Sequence, residues 1–286
     1  MKEVEGNMSS RRWPLAAMVL AATAFGIPPV WSAEDEAVSL MQSRLEIPEE
    51  ELLDVGIQIF DSGLPADSEE LYELEQKGVF PDVRKSEARY IPFLLMKTMQ
   101  STGYWGAVRL VPAANPIDVM VSGTILESTG KDLELEIQVV DSRGRRWMRE
   151  RYKREASPES YVKKRDGLEQ PDPYQSVYHQ IANDILEQRN ELGAEDIAEI
   201  RLVSQLKFAA DLAPTPFAEY LEVDEGSHAI KKLPTRDDPM MRRVASIRER
   251  DYMFIDTLTE FYAGFYSKMD EPYDSWRAFS YEEQRA

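Results

Sequence analysis

Apolar and polar residues alternate most cleanly between positions 118 and 153. Leu133, Leu135, Ile137 and Val139 interleave with Glu134, Glu136 and Gln138, the period-two pattern of a sheet buried on one face. Thr129-Gly130-Lys131 and Asp141-Ser142-Arg143-Gly144 interrupt the pattern with turn residues. The spacing therefore predicts strands over 118–128, 132–140 and 145–153, joined as an antiparallel meander. Upstream, 53–60 predicts a strand with Leu53, Val55, Ile57 and Ile59 on one face, ended by Asp61-Ser62-Gly63. Residues 82–102 carry Tyr90, Ile91, Leu94, Leu95 and Met99 at helical spacing, with Gly103 as a stop. Pro92 lies inside that pattern and predicts a kink or a restart. A short strand follows at 107–111, closed by Pro112. The helix should cover the apolar face of the sheet, giving an α+β fold of order β-α-β-β-β-β over 50–156.

From Ser157 the pattern turns helical. Residues 157–172 predict a polar linker, and Pro173 starts a helix carrying Val177, Ile181 and Ile185 inward. Gly193 separates it from a helix over 194–212 with Ile197, Ile200 and Leu206 inward. Pro214 and Pro216 break that helix, 217–221 forms a turn, and 224–238 reads as a loop. Residues 239–268 predict a long helix with Val244, Ile247, Ile255, Leu258, Phe261 or Tyr262, and Phe265 inward. The tail beyond Pro272 is expected to fold back onto it. The region 173–286 is thus a helical part following the α/β module.

The amino terminus reads as a secretion signal. Arg11 and Arg12 precede the apolar run at 13–25, Gly26, Pro28 and Pro29 end it, and the small Ser32 and Ala33 stand before Glu34-Asp35-Glu36. The run is shorter than the ~20 residues a spanning helix needs, so a cleaved segment over 1–33 is expected, with no stable membrane span afterwards. Export would place the mature chain in the periplasm, and cleavage after either Ser32 or Ala33 leaves no lipidation cysteine.

Composition narrows the chemistry. The 286 residues contain no cysteine, which excludes disulfides, thiolate metal sites and cysteine nucleophiles. A formal net charge of -18 argues against a nucleic-acid partner, because phosphate neutralisation needs concentrated Lys and Arg. A basic strip runs through Arg143, Arg145, Arg146, Arg149, Arg151, Lys153 and Arg154. Alternation along a strand splits it between two faces, so it reads as a solvated strand face, with anionic docking through Arg149 and Arg151 as the other possibility.

Residues 52–152 resemble the small α/β module of bacterial envelope proteins such as the amino-terminal domain of TolB and the curli-secretion lipoproteins. The resemblance lies in the helix at 86–103, the strand at 108–111, the segment Asp118-Val119-Met120-Val121-Ser122-Gly123-Thr124-Ile125, and the strand from Leu133 that closes in Val140-Asp141-Ser142-Arg143-Gly144. It implies an accessory or assembly role in the envelope and names no partner. The chain departs from that pattern in having no lipidation cysteine and no β-propeller repeat after Ser160.

Candidate catalytic groups are sparse. His179 and His228 stand without a partner at metal-ligand spacing, so neither a catalytic nor a metal role is assigned. Asp61-Ser62-Gly63 has no second copy to make an aspartic-protease dyad, and turn chemistry accounts for it. Gly123 and Gly130-Lys131 do not match a phosphate loop, and no cofactor is implied. Aromatic residues are dense after Tyr252, more than one inward stripe can bury. If they are not all core, Tyr273, Trp276 and Phe279 are candidates for partner contact. The sequence thus reads as a non-enzymatic envelope accessory protein acting through an unidentified protein partner. An envelope hydrolase with paired carboxylates, perhaps acting on a glycan, is the alternative.

Overall fold

Strand β1 (Val55–Ile57) lies between β2 (Val108–Leu110) and β3 (Val119–Ser128) and runs parallel to both. β3, β4 (Asp132–Asp141) and β5 (Arg146–Glu155) form the antiparallel meander, giving the order β2-β1-β3-β4-β5. This computed structural model describes residues 38–76, 78–111, 115–161, 172–235 and 237–285. The expected signal segment and residues 162–171 of the expected linker lie outside them, whereas Pro158–Tyr161 forms a short 3-10 turn. The fold is α+β, a mixed sheet packed with helices. Parallel neighbours need a crossover, and the chain makes it between β1 and β2 through α1 (Ser68–Gln76) and α2 (Pro81–Gln100). Helix α1, which periodicity did not reveal, buries no residue and is capped by Asp67, whose Oδ1 accepts the N–H groups of Glu69 and Glu70.

Alternation places Val55, Ile57, Val119, Val121, Ile125, Leu133, Leu135, Ile137 and Val139 in one core. Ile59 departs from the expected facing. Gln58 N–H bonds to Val121 O and Asp61 N–H to Gly123 O, so three residues advance against two on β3. The extra residue reverses the facing, leaving Ile59 58% exposed and turning Phe60 inward. Gly123 makes the room, since a Cβ there would sit 2.9 Å from the Phe60 ring and from Ile137 Cδ1. Pro92 neither breaks nor restarts α2. A proline lacks the N–H that would bond the carbonyl four residues back, and that carbonyl, on Ala88, accepts Phe60 N–H at 2.9 Å instead.

The later helices join the same core. α3 (Gln175–Asn190) contributes Val177, Tyr178, Ile181 and Ile185, and α4 (Ala194–Leu212) contributes Ile197 and Ile200. The α/β module and the region after 172 therefore share one packed interior, and 37–286 clusters as one unit. After α5 (Pro214–Phe217), the stretch expected as a turn at 217–221 and a loop at 224–238 contains a hairpin of β6 (Leu221–Asp224) and β7 (Ser227–Ile230). Its two turn residues, Glu225 and Gly226, have φ of 46° and 87°, the left-handed pair a two-residue hairpin turn requires.

Helix α6 (Pro239–Arg285) runs unbroken for 47 residues, about 70 Å at 1.5 Å per residue. The tail does not fold back at Pro272.

Candidate functional site

The face of α6 turned to the protein is built from Met241, Val244, Ile255 and Tyr266, continued by Arg277, Ser280 and Tyr281. Its carboxyl-terminal half docks through a buried polar network. Glu87 on α2 is 1% exposed and accepts hydrogen bonds from Tyr273 Oη at 2.6 Å, Ser128 Oγ at 2.7 Å and Arg84 Nε at 3.2 Å. Burial pushes the Glu87 carboxyl above its usual range, against the lowering effect of those three partners. Arg277, 1% exposed, donates to Asp172 Oδ2 and Asp274 Oδ1, both at 2.7 Å, and lies over the Tyr273 ring at 4.3 Å. Ser280 Oγ accepts Gly130 N–H, and Tyr90 Oη donates to Asp270. Apart from Asp274 and the Tyr273 ring, which lie on α6 itself, these partners stand more than 100 residues away in sequence and tie the helix to the rest of the chain.

The amino-terminal half of α6 borders an open cleft of about 830 Å³ at the leading ends of β1, β2 and β3. Arg109 on β2 makes a two-pronged ion pair with Asp256, at 2.7 and 3.1 Å, and reaches Asp54 at 3.4 Å. Arg248 donates to Ser204 Oγ and Tyr252 Oη, both at 2.6 Å, and stands 3.9 Å from Asp118. The Tyr252 ring lies between the two guanidiniums, and its hydroxyl is pushed up to about 12, mainly by burial. Asp118 is raised by burial, while the Asp54 N–H at 3.0 Å and Arg248 pull it down. Asp54 Oδ1 accepts Ala107 N–H at 2.7 Å. Every carboxylate among these is engaged by a backbone N–H or an arginine, so the cleft fastens α6 to the sheet edge.

Beside this face, α6 carries a stripe with no such partners among the described residues. Phe254, Leu258, Phe261 and Phe265 follow one another at steps of four, three and four residues and are between 40% and 74% exposed. Met253 and Tyr262 flank them, also exposed. Periodicity placed Leu258, Phe261 or Tyr262, and Phe265 inward, and the structure turns them out. Two apolar stripes compete for the core on this helix, and the inner one wins because Arg248, Tyr273 and Arg277 find buried partners at its positions. Among the residues singled out for partner contact, Phe279 is exposed and Trp276 half-buried, stacked on Tyr273 at 5.8 Å. Tyr273 is occupied by the buried network. Arg149 and Arg151 lie on the outer sheet face, both paired to Glu136, whose carboxyl they hold below its usual range. Lys153 pairs with Glu127 and Glu134, and Arg143 with Asp141, Asp196 and Glu199.

The histidines stay apart. His179 Nδ1 lies 2.7 Å from Val38 O, and since a carbonyl only accepts, that nitrogen carries the proton. His228 sits on β7, and burial, then Lys207, lowers its pKa. Among the described residues no group of His, Asp and Glu is arranged to hold a metal ion. Among them, too, no helix is long and apolar enough to cross a membrane.

No family model matches the sequence, and no curated protein matches it. Among solved structures, the chain is similar to the hypothetical protein CT253 from Chlamydia trachomatis at 11% identity and a TM-score of 0.27. That match covers 48% of this chain and 94% of the other.

Proposed function

We propose that this protein is a periplasmic accessory component of a bacterial cell envelope, exported by a cleaved signal over 1–33, that acts through protein contacts and without catalysis. The observation that carries the reading is the exposed aromatic stripe of α6. Isolated exposed apolar residues are ordinary on a protein surface, but a contiguous row on a helix already anchored by its other face is the form a recognition surface takes. The signal-like pattern at the amino terminus and the resemblance of 52–152 to envelope α/β modules support the location. Paired charges across the outer sheet face turn attention from Arg149 and Arg151 to α6.

The test is crosslinking in intact envelopes with a photoreactive residue at position 258 or 261. A crosslinked product that disappears with Phe254→Glu is expected. No product from either position would overturn the reading.

A carboxylate hydrolase is the second reading, supported by Asp54 and the raised Asp118 at one cleft. It requires an acid and a base free to meet substrate. Both carboxylates are already engaged, which favours the contact role.

A further inference from the structure

The open stripe of α6 is self-complementary when read against its own reversal. Turning a second copy about an axis midway between Thr259 and Glu260 places Leu258 opposite Phe261, Phe254 opposite Phe265, and Asp251 opposite Lys268. The steps of four, three and four residues are those of a helix–helix seam, and in an antiparallel seam each layer pairs one kind of seam position with the other, as this register does. We propose that the outer face of α6 binds the same face of a second copy of this chain, antiparallel and two-fold symmetric.

Charge fixes the orientation. In the antiparallel register both ends of the apolar block close with an Asp251–Lys268 pair, whereas a parallel in-register pairing sets Asp251 on Asp251 and Lys268 on Lys268. Neither residue has an ion-pair partner within the chain among the described residues. Further out, the same register brings Met240 opposite Phe279, which are 47% and 61% exposed. An isologous contact requires that every residue recur with its partner on both sides, and this surface meets that condition over residues 251–268.

The area approaches what an interface needs. With roughly 150–250 Å² for a whole aromatic side chain, the four seam residues expose roughly 450 Å² in each copy. A stable interface buries about 800 Å² per partner, and the Met240 and Phe279 ends add roughly 200 Å². The seam alone already lies in the range of about 300–600 Å² that the largest apolar patches of monomers reach.

This inference rests on the reading of α6 as a contact surface, and names the partner. Sedimentation equilibrium of the full chain, from about 1 to 100 µM, should show a dimer. Leu258→Glu should give a monomer with unchanged helix content by circular dichroism. Asp251→Lys alone and Lys268→Asp alone should each weaken association by about tenfold, because each sets like charges together. The double exchange Asp251→Lys with Lys268→Asp should restore it. A monomeric wild-type chain, a dimer indifferent to Leu258→Glu, or a double exchange that fails to restore association would each overturn the proposal. A monomer whose α6 crosslinks to a different envelope protein ends self-pairing and leaves the contact reading standing. An α6 that crosslinks to nothing ends both.

Discussion

Glu87 shows how a single charged residue can be indispensable to a core without being catalytic. Its carboxylate is buried with Arg84 and receives two hydroxyl donors, so Glu87→Ala should cost about 3–5 kcal/mol by leaving Arg84 buried and unpaired. Its pKa is raised in the folded protein above the ordinary 4.5, so the folded state holds the proton more tightly than the unfolded chain. The stability this supplies is full below about pH 4.5 and declines as pH rises through the folded value. Urea melts across pH 4–8 should show that decline in the wild type and a shallower one in Glu87→Gln. Equal slopes would place the proton elsewhere. The sheet supports a second comparison. Leu135→Asp or Ile137→Asp buries an unpaired charge and should cost about 4 kcal/mol or more. Glu136→Gln weakens only its pairs to Arg149 and Arg151 on the outer sheet face and should leave the same melts close to those of the wild type.

At the scale of the element, β1 and α2 are adjusted to each other. The extra residue near Ile59 turns Phe60 inward, its N–H completes the carbonyl that Pro92 leaves open, and Gly123 receives its ring. Gly123→Ala should therefore cost about 1–3 kcal/mol through overpacking, and Phe60→Leu in the same chain should recover part of the loss. Thermal melts of the two single variants and the double give the coupling. If the two effects simply add, the ring and the glycine do not share that space. Helix α6 presents the opposite situation, with two apolar stripes on one cylinder. Its inner stripe holds Arg248, Tyr273 and Arg277, which a hydrophobic periodicity scores as outward.

Across the whole molecule, the last turns of α6 belong to the core of the α/β module. Arg277, Tyr273 and Ser280 reach Asp172, Glu87 and Gly130, on segments more than 100 residues away. Removing residues 269–286 should destabilise the sheet as well as the helix, seen as one cooperative thermal transition at a lower temperature. A tail independent of the core would leave the sheet transition in place. The same anchoring places the outer aromatic stripe on a formed helix, so that a partner meets it with little ordering cost.

The meander, the boundaries of α4 and the class of the fold were legible along the chain, because period-two and period-3.6 patterns and their turn residues are local properties. The hairpin β6–β7 escaped because Glu225 supplies a left-handed turn residue that composition alone does not mark. Only the tertiary structure decided which face of α6 is buried. That choice depends on Glu87, Asp172 and Ser204, buried acceptors far away in sequence, which admit Tyr273, Arg277 and Arg248 to the interior and leave the phenylalanines outside. A side chain's hydrophobicity states its preference in water, whereas its burial follows from the partners that folding brings to it.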